Sequence, residues 1–185
     1  MDNERHLVAE AKRNPEHFLT LYDHYYPKLY AYVLSRVRQK ERAEDVVANT
    51  FVKAMDNMDQ FTWRRSATFG SWLFRIAKND MIDHIKKDAR MMMVETEKLD
   101  QTMSSTPDAM ESLIEQETED EQHQQFERVL LSLQSLTELE QEVISLKYLA
   151  DMSYKDISLI TNKKPNTLAV TLKRALVKIR KDLDL

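Results

Sequence analysis

Two stretches of this chain bring together residue types that could do chemistry. Between residues 61 and 90, Phe61, Trp63, Phe69, Trp72 and Phe74 are interleaved with seven Lys/Arg and only three Asp. Exposed rings stack on unpaired bases while cationic side chains follow the phosphates, each stacked base contributing about 1–3 kcal/mol. This is the make-up of a binder of single-stranded nucleic acid. From Lys163 to Lys181 there are seven basic residues and no acid, a surface that attracts phosphates and loses affinity as salt rises. Catalytic patterns are missing. No two of His6, His17, His24, His84 and His123 stand three or four residues apart, so no helical pair is set to grip a metal. The absence of Cys removes thiolate ligands and cysteine nucleophiles. Asp80 and His84, one helical turn apart, read as a capping or core pair. Neither a metal, nor a cofactor, nor catalytic turnover is expected.

The elements that must position these residues read as helices. Asn14-Pro15 is a helix-start signal, and Phe18, Leu21, Tyr22, Tyr25, Leu29, Val33 and Val37 then recur at steps of three and four. Pro27 inside that stripe predicts a kink or break. A second helix over 41–59 carries Ala43, Val46, Val47, Phe51, Ala54, Met55 and Met58. A third runs from Phe69 to about 89 with Trp72, Leu73, Ile76, Ala77 and Ile85 inward; its register turns Ile82 toward the charged side and Asp80 and His84 toward the core. Phe69 and Trp72 thus read as core, whereas Trp63-Arg64-Arg65-Ser66 falls in a loop and reads as surface.

Phe126, Val129, Leu130 and Leu133 open a second helical block. Thr137-Glu138-Leu139-Glu140 matches a capping box and predicts a helix to about Leu149. Ser153-Tyr154-Lys155-Asp156 caps another, Thr161 to Pro165 is a turn, and a last helix reaches about Lys181 on the stripe Leu168, Leu172, Ala175, Leu176 and Ile179. A short capped helix, a turn and a longer basic helix have helix-turn-helix geometry. The face opposite the stripe presents Asn166, Val170, Lys173, Arg174, Val177 and Lys181, with Asn166 and Thr167 best placed for base edges. A basic terminal helix can also be merely solvated, but Val170 and Val177 are unusual on such a face. They suit thymine methyl groups or another protein.

Composition narrows the fold. In 185 residues, 42% apolar and 31% charged, there are one Gly and four Pro. Nucleotide-binding α/β folds and all-β folds spend Gly on phosphate loops and turns. The expected fold is therefore all-α, two small helical domains joined by an acidic linker. Charge draws the boundaries: residues 1–92 hold 16 Lys/Arg against 13 Asp/Glu, 93–122 hold one against ten, and 123–185 hold 10 against 8. Low hydrophobicity with high net charge marks 93–122 as linker. The N-terminal residues lack a basic-then-apolar secretory profile, and no apolar run approaches the ~18 residues of a membrane span. A protein of a reducing cytoplasm, without membrane insertion, is expected.

Three motifs resemble those of a known family. Ala43-Glu44-Asp45-Val46-Val47-Ala48-Asn49-Thr50-Phe51-Val52-Lys53-Ala54 is similar to the polymerase-binding helix of bacterial RNA polymerase sigma factors of the sigma-70 family, extracytoplasmic-function (ECF) subgroup. Phe69-Gly70-Ser71-Trp72-Leu73-Phe74-Arg75-Ile76-Ala77-Lys78-Asn79, continuing to Asp83 and Lys86-Lys87, resembles the promoter-melting helix, and Leu136 to Leu149 with Ser153 to Ile157 resembles the second DNA-binding domain. The resemblance implies that Glu44, Asp45, Asn49, Thr50 and Phe51 dock on the clamp helices of the largest subunit of core RNA polymerase. It implies that Trp63, Arg64, Arg65, Ser66, Arg75, Lys78, Asn79 and Lys86 engage the minus-ten element, where DNA is unpaired and a base is held flipped in a loop pocket. Asn166, Thr167, Val170, Lys173 and Arg174 would meet the minus-thirty-five element as duplex. It further implies a linker threaded through the polymerase, an anti-sigma inhibitor as partner, and a monomer when free. The chain departs from the family where Ala169-Val170-Thr171 replaces a polar, basic run, Asn162 the usual turn Gly and Lys164-Pro165 a Ser-led start. Two other functions fit the residues: a self-contained dimeric helix-turn-helix regulator, and a sigma-like module whose last helix binds protein.

Overall fold

A computed structural model of the chain describes residues 2–63, 67–98 and 132–182, with side-chain surroundings for 4–63, 67–83 and 132–182. Every regular element among the described residues is helical. The first domain comprises α1 (Asp2–Arg13), α2 (Phe18–Val37), α3 (Lys40–Asp56) and α4 (Phe69–Lys98). The second comprises α5 (Glu138–Ile144), continued by a π-helical turn Ser145–Leu149, then α6 (Tyr154–Thr161) and α7 (Pro165–Asp182). The all-α, two-domain expectation holds.

In the first domain the predicted stripes face one another. Leu21, Tyr25, Leu29 and Val33 of α2, Val46, Val47, Phe51 and Ala54 of α3, and Phe69, Leu73, Phe74 and Ala77 of α4 are buried together. Helix α1 was not signalled by a cap; it docks through Val8 and Ala11, and Lys12 Nζ donates to the Phe61 carbonyl at 2.6 Å. Its trace in the sequence is the Leu7, Val8, Ala11 spacing. Asn14 does cap, its side chain accepting from Glu16 N at 3.0 Å, but it opens a single 3-10 turn, Pro15–His17, that leads into α2.

The break expected at Pro27 does not occur: α2 runs through it to Val37. Proline deletes one backbone donor and crowds the preceding turn. Pro27 lies on the exposed side of α2, where the released carbonyl can meet water, while Leu21 and Tyr25 before it and Leu29, Tyr32 and Val33 after it hold both halves in the core. The helix ends at Arg38, which takes a left-handed conformation (φ 57°). Helix α4 likewise continues to Lys98, past the residue at which the charge pattern places the linker's start.

The single glycine sits where the start of α4 packs against Tyr25 of α2. A Cβ on Gly70 would lie 2.9 Å from Tyr25 Cε1 and 3.1 Å from its hydroxyl. Tyr25 cannot easily yield, because its Oη donates to Glu4 Oε1 at 2.5 Å, and the same carboxylate oxygen accepts from Gly70 N at 3.1 Å. Glu4 thereby satisfies one of the orphan donors at the start of α4. Burial, then the Glu4 hydrogen bond, drives the Tyr25 hydroxyl far above its ordinary pKa, so it stays a donor.

In the second domain both predicted caps form. Thr137 Oγ1 accepts from Glu140 N, and Glu140 Oε2 accepts from Thr137 N at 2.9 Å, a complete capping box. Ser153 Oγ accepts from Asp156 N at 3.2 Å. Asn162 supplies the left-handed turn residue between α6 and α7 (φ 56°), a conformation Asn tolerates. Lys178 Nζ of α7 donates to Glu140 Oε2 at 2.7 Å and ties the last helix to the first. The predicted helix to Leu149 is α-helical only to Ile144, then widens into the π turn.

The apolar residues of the two domains form one continuous core, and polar groups also meet across the junction. Tyr32, Ser35 and Arg36 of α2 and Lys78 of α4 face Gln141, Glu142 and Ser145, and Thr68 Oγ1 donates to Asp156 Oδ1 at 2.9 Å.

Two measurements test this packing. Gly70→Ala forces a buried, pinned ring to move, and a loss of about 1–3 kcal/mol is expected from urea unfolding. For Glu140, burial raises the carboxyl pKa, but hydrogen bonds from Lys178 and Thr137 outweigh it and hold it below the usual range. A native pKa below the unfolded one stabilises above the unfolded value of 4.5, and the stabilisation is lost as pH falls through the lower native value. Glu140→Gln, which keeps the capping geometry, is therefore expected to lose less stability than the wild type between pH 7 and pH 3 in the same assay.

Candidate nucleic-acid interface

Helix α7 has an inner and an outer face, with Leu176 of the expected stripe left 39% exposed near the edge. Leu168, Leu172 and Ala175 are buried, and Asn166, Thr167, Val170, Lys173 and Arg174 are exposed. The residues expected to face a DNA groove thus lie together on the outer side of the second helix of a helix-turn-helix. Of the basic run, Lys178 is drawn inward to Glu140 at 2.7 Å, while Lys163, Lys164, Lys173, Arg174 and Lys181 stay exposed. Val170 and Val177 are 52% and 64% exposed. Beyond Val177 the surface dips into an open groove of about 450 Å³ lined by Tyr148, Tyr154, Leu172, Leu176 and Arg180. The outer face therefore mixes cations with apolar side chains.

The aromatic segment is split between core and rim. Phe61, Phe69 and Phe74 are buried. Phe69 is core as its register requires, but Trp72 is only partly buried. Trp63 and Trp72 both pack on Phe61, each with its ring centroid 5.1 Å away. Trp63 is less open than its loop position suggests, because the Arg5 guanidinium lies 5.3 Å over its ring. Beside Trp72 an open cleft of about 360 Å³ is lined by Lys53, Asn57, Gln60, Ile76, Asn79 and Asp80. Arg75 and Asn79 are exposed one turn apart on α4, and Ile82 turns outward as its register predicts. Asp80 faces inward and accepts from Lys53 through Oδ1, leaving its buried Oδ2 without a partner. Arg64, Arg65 and Ser66 lie outside the described residues, as do the side chains of His84 and Lys86.

Lys78 is placed differently from its neighbours. Its ammonium lies 3.2 Å from Glu142 Oε1 of the second domain. The residue expected to contact DNA is occupied within the chain.

On α3 the expected docking residues separate into two groups. Glu44, Asp45 and Asn49 are exposed, beside Val52 and beside Met55, which falls at the edge of the apolar stripe and is 48% exposed instead of packed inward. Thr50 and Phe51 point inward. Thr50 Oγ1 donates to the Val46 carbonyl at 2.7 Å, and Phe51 packs on Phe18 and Tyr22, with centroids 6.3 Å and 4.5 Å away. Their i+3/i+4 spacing from Val46 and Val47 puts them on the buried stripe, so they shape α3 without presenting a contact surface. Tyr22, Tyr26 and Tyr30 stack in sequence alongside, at 5.2 Å and 5.9 Å. Burial, then the charge of Glu44, raises the Tyr30 hydroxyl pKa.

Sequence reasoning missed the groups at the domain junction: Tyr32, Ser35, Arg36, Glu142 and Ser145. The one available signal is polar residues set among apolar stripe positions, such as Glu142 beside Val143. It does not say which partner satisfies them.

Comparison with known proteins gives two family matches, sigma-70 region 2 over residues 21–91 and sigma-70, region 4, over residues 126–179. Similar curated proteins include RNA polymerase sigma factor YlaC of Bacillus subtilis, 26% identical over 163 residues, 88% of this chain and 90% of that protein. ECF RNA polymerase sigma factor SigM of the same species is 27% identical over 144 residues, 77% of this chain and 80% of that one. Among solved structures, CnrH in complex with the cytosolic domain of CnrY shares the fold with a TM-score of 0.69 at 24% identity, covering 98% of this chain and 97% of that one. Sigma factor RpoE in complex with the anti-sigma factor NepR, from Bartonella quintana, gives 0.69 at 22% identity over 91% and 97%.

The exposed cations of α7 carry a direct test. If Lys173 and Arg174 meet phosphates, replacing each by Gln is expected to reduce the slope of log K against log salt by about 0.9 on duplex DNA, read by fluorescence anisotropy at several salt concentrations.

Proposed function

Because this chain belongs to the sigma-70 family of bacterial RNA polymerase sigma factors, in the extracytoplasmic-function subgroup, we propose that it docks on core polymerase through α3 and places promoter recognition and strand opening on α4 and α7. The observation that carries this reading is the outer face of α3. There Glu44, Asp45 and Asn49 stand beside two exposed apolar side chains, Val52 and Met55, a surface complementary to a helix that offers both apolar and cationic groups. The clamp helices of the largest subunit are the proposed partner.

The minus-ten element is assigned to Trp63, Arg75, Asn79 and the residues that follow Trp63 in the chain, Arg64, Arg65 and Ser66, with Lys86 further along α4. Rim indoles beside exposed Arg and Asn suit unpaired bases. Strand opening, with one base held flipped, belongs to this face. The minus-thirty-five element is assigned to Asn166, Thr167, Val170, Lys173 and Arg174 as duplex contacts. The division is 1–92 for polymerase and minus-ten binding, 93–122 as acidic linker and 123–185 for minus-thirty-five binding. An anti-sigma inhibitor is a further proposed partner, by analogy with RpoE, whose solved complex holds the anti-sigma factor NepR. The chain acts as a regulatory subunit, monomeric when free, in the cytoplasm where the polymerase works; the reaction chemistry stays with the polymerase. No described helix is long and apolar enough to cross a membrane.

The decisive experiment is a pull-down with core polymerase followed by in vitro transcription on a promoter library. Asp45→Arg is expected to weaken core binding by more than about tenfold with unchanged circular dichroism; unaltered binding and transcription would overturn the reading. A second reading is favoured by the exposure of Val170 and Val177: α7 binds protein in place of DNA. It predicts that Lys173→Glu with Arg174→Glu leaves promoter binding intact, whereas the first reading predicts its loss.

A further inference from the structure

Glu142 is the most completely enclosed carboxylate at the domain junction, 5% exposed. All its described hydrogen bonds and ion pairs come from the other domain. Tyr32 Oη donates to Oε1 at 3.0 Å, Lys78 Nζ lies 3.2 Å from the same oxygen, and Arg36 Nε lies 3.5 Å from Oε2. Seen from the first domain, a guanidinium on α2, an ammonium on α4 and a phenol converge on one point. No carboxylate of that domain is described as pairing with Arg36 or Lys78. Two cations and a hydroxyl donor aimed at one place make a site for a compact oxyanion. The pocket also adjoins the strip where a nucleic-acid strand would run, since Lys78 stands next to Asn79 and three residues from Arg75, both exposed on α4.

We propose that Arg36, Lys78 and Tyr32 form a site for a backbone phosphate of promoter DNA, and that Glu142 fills it in the free chain as an internal competitor. The inference rests on the reading of α4 as the promoter-contacting helix. In the closed arrangement Lys78 cannot serve DNA, because its charge is spent on Glu142. When the second domain moves off, the three donors are left without an acceptor, and a phosphate replaces the carboxylate at little electrostatic cost. The other described polar pairs of the junction suit reversible exchange with water. Ser35 Oγ donates to Ser145 Oγ at 2.8 Å, Arg36 donates to Gln141 Oε1 at 2.5 Å, and Lys28 lies 3.9 Å from Asp151. Such groups exchange their partners for water far more readily than an apolar interface does. In the closed arrangement Tyr32 is a donor, since burial first, and the Glu142 charge second, push its hydroxyl well above the ordinary range.

The chain has no cysteine, so one engineered disulfide can hold the junction shut. The Ser35 and Ser145 oxygens are 2.8 Å apart, within a small adjustment of the ~2.0 Å sulfur–sulfur bond. The double variant Ser35→Cys with Ser145→Cys is treated with oxidised glutathione and assayed for binding to a fluorescent minus-ten single strand and for transcription with core polymerase. A cross-link forming in the free protein, a loss of both activities on oxidation and full recovery with dithiothreitol are expected. Each single variant, which can form only a mixed disulfide with glutathione, should give no internal cross-link and no loss of strand binding on oxidation. In the native-serine background, Glu142→Gln should tighten strand binding by up to roughly tenfold, as expected if about one molecule in ten is open beforehand, and adding Lys78→Gln should abolish the gain. The proposal is overturned if the cross-link does not form, if the oxidised variant binds and transcribes like the reduced one, or if Glu142→Gln binds the strand no more tightly than wild type. Failure of the underlying reading looks different: the wild type itself neither binds the strand nor supports transcription.

Discussion

Helix α4 can begin where it does because residue 70 has no side chain. The Tyr25 ring occupies the space a Cβ would need, and the Glu4 carboxylate fastens both the ring and the helix start through one oxygen. That contact sets the depth and rotation of α4 against α2. With Phe69, Leu73, Phe74 and Ala77 committed to the core, the 100° step of a helix leaves Arg75 and Asn79 outward and swings Lys78 to one side. The surface proposed for promoter DNA is thus the remainder of a packing problem. A single-glycine protein has placed that glycine at the contact from which its candidate interface follows.

The same logic separates the two kinds of residue within each matched motif. Along α3, Thr50 and Phe51 share a segment with Glu44, Asp45 and Asn49, yet the first pair builds the core and the others face solvent. Along α7, Lys178 ties its own domain together through Glu140 while Lys173 and Arg174, five and four residues earlier, remain exposed. A motif therefore mixes outward residues, free to meet a partner, with inward residues that aim them. Substitutions in the second class act on both stability and binding and cannot be read as contacts.

The junction between the domains has another character. Its described hydrogen bonds and ion pairs join groups that water can also satisfy, and its most enclosed charge depends on donors supplied across the gap. Enclosed charges of this kind contribute little net stability when paired, but they are costly to leave unpaired. These polar contacts therefore give the closed arrangement specificity more than strength, in keeping with the proposed role, in which α4 and α7 serve separate sites on a promoter.

Helix identity, the two caps at Thr137 and Ser153, the turn at Asn162 and the buried stripes, apart from Met55 and Leu176 at their edges, were legible in the residues, because each depends on neighbours three or four positions away. The two-domain layout was legible too, because charge and hydropathy change together along the chain. Continuity of α2 through Pro27 was not, since the penalty is local while the forces that outweigh it come from α3 and α4. Burial of Thr50 and Phe51 could be inferred from their register, but the occupation of Lys78 could not. Its partner, Glu142, lies far along the chain, and nothing local links a lysine on one amphipathic helix to a glutamate on another. Short-range periodicity fixes which face of each helix is apolar; only the packed molecule decides which polar faces meet, because that choice is made by the summed geometry of all the packed helices and not by any one of them.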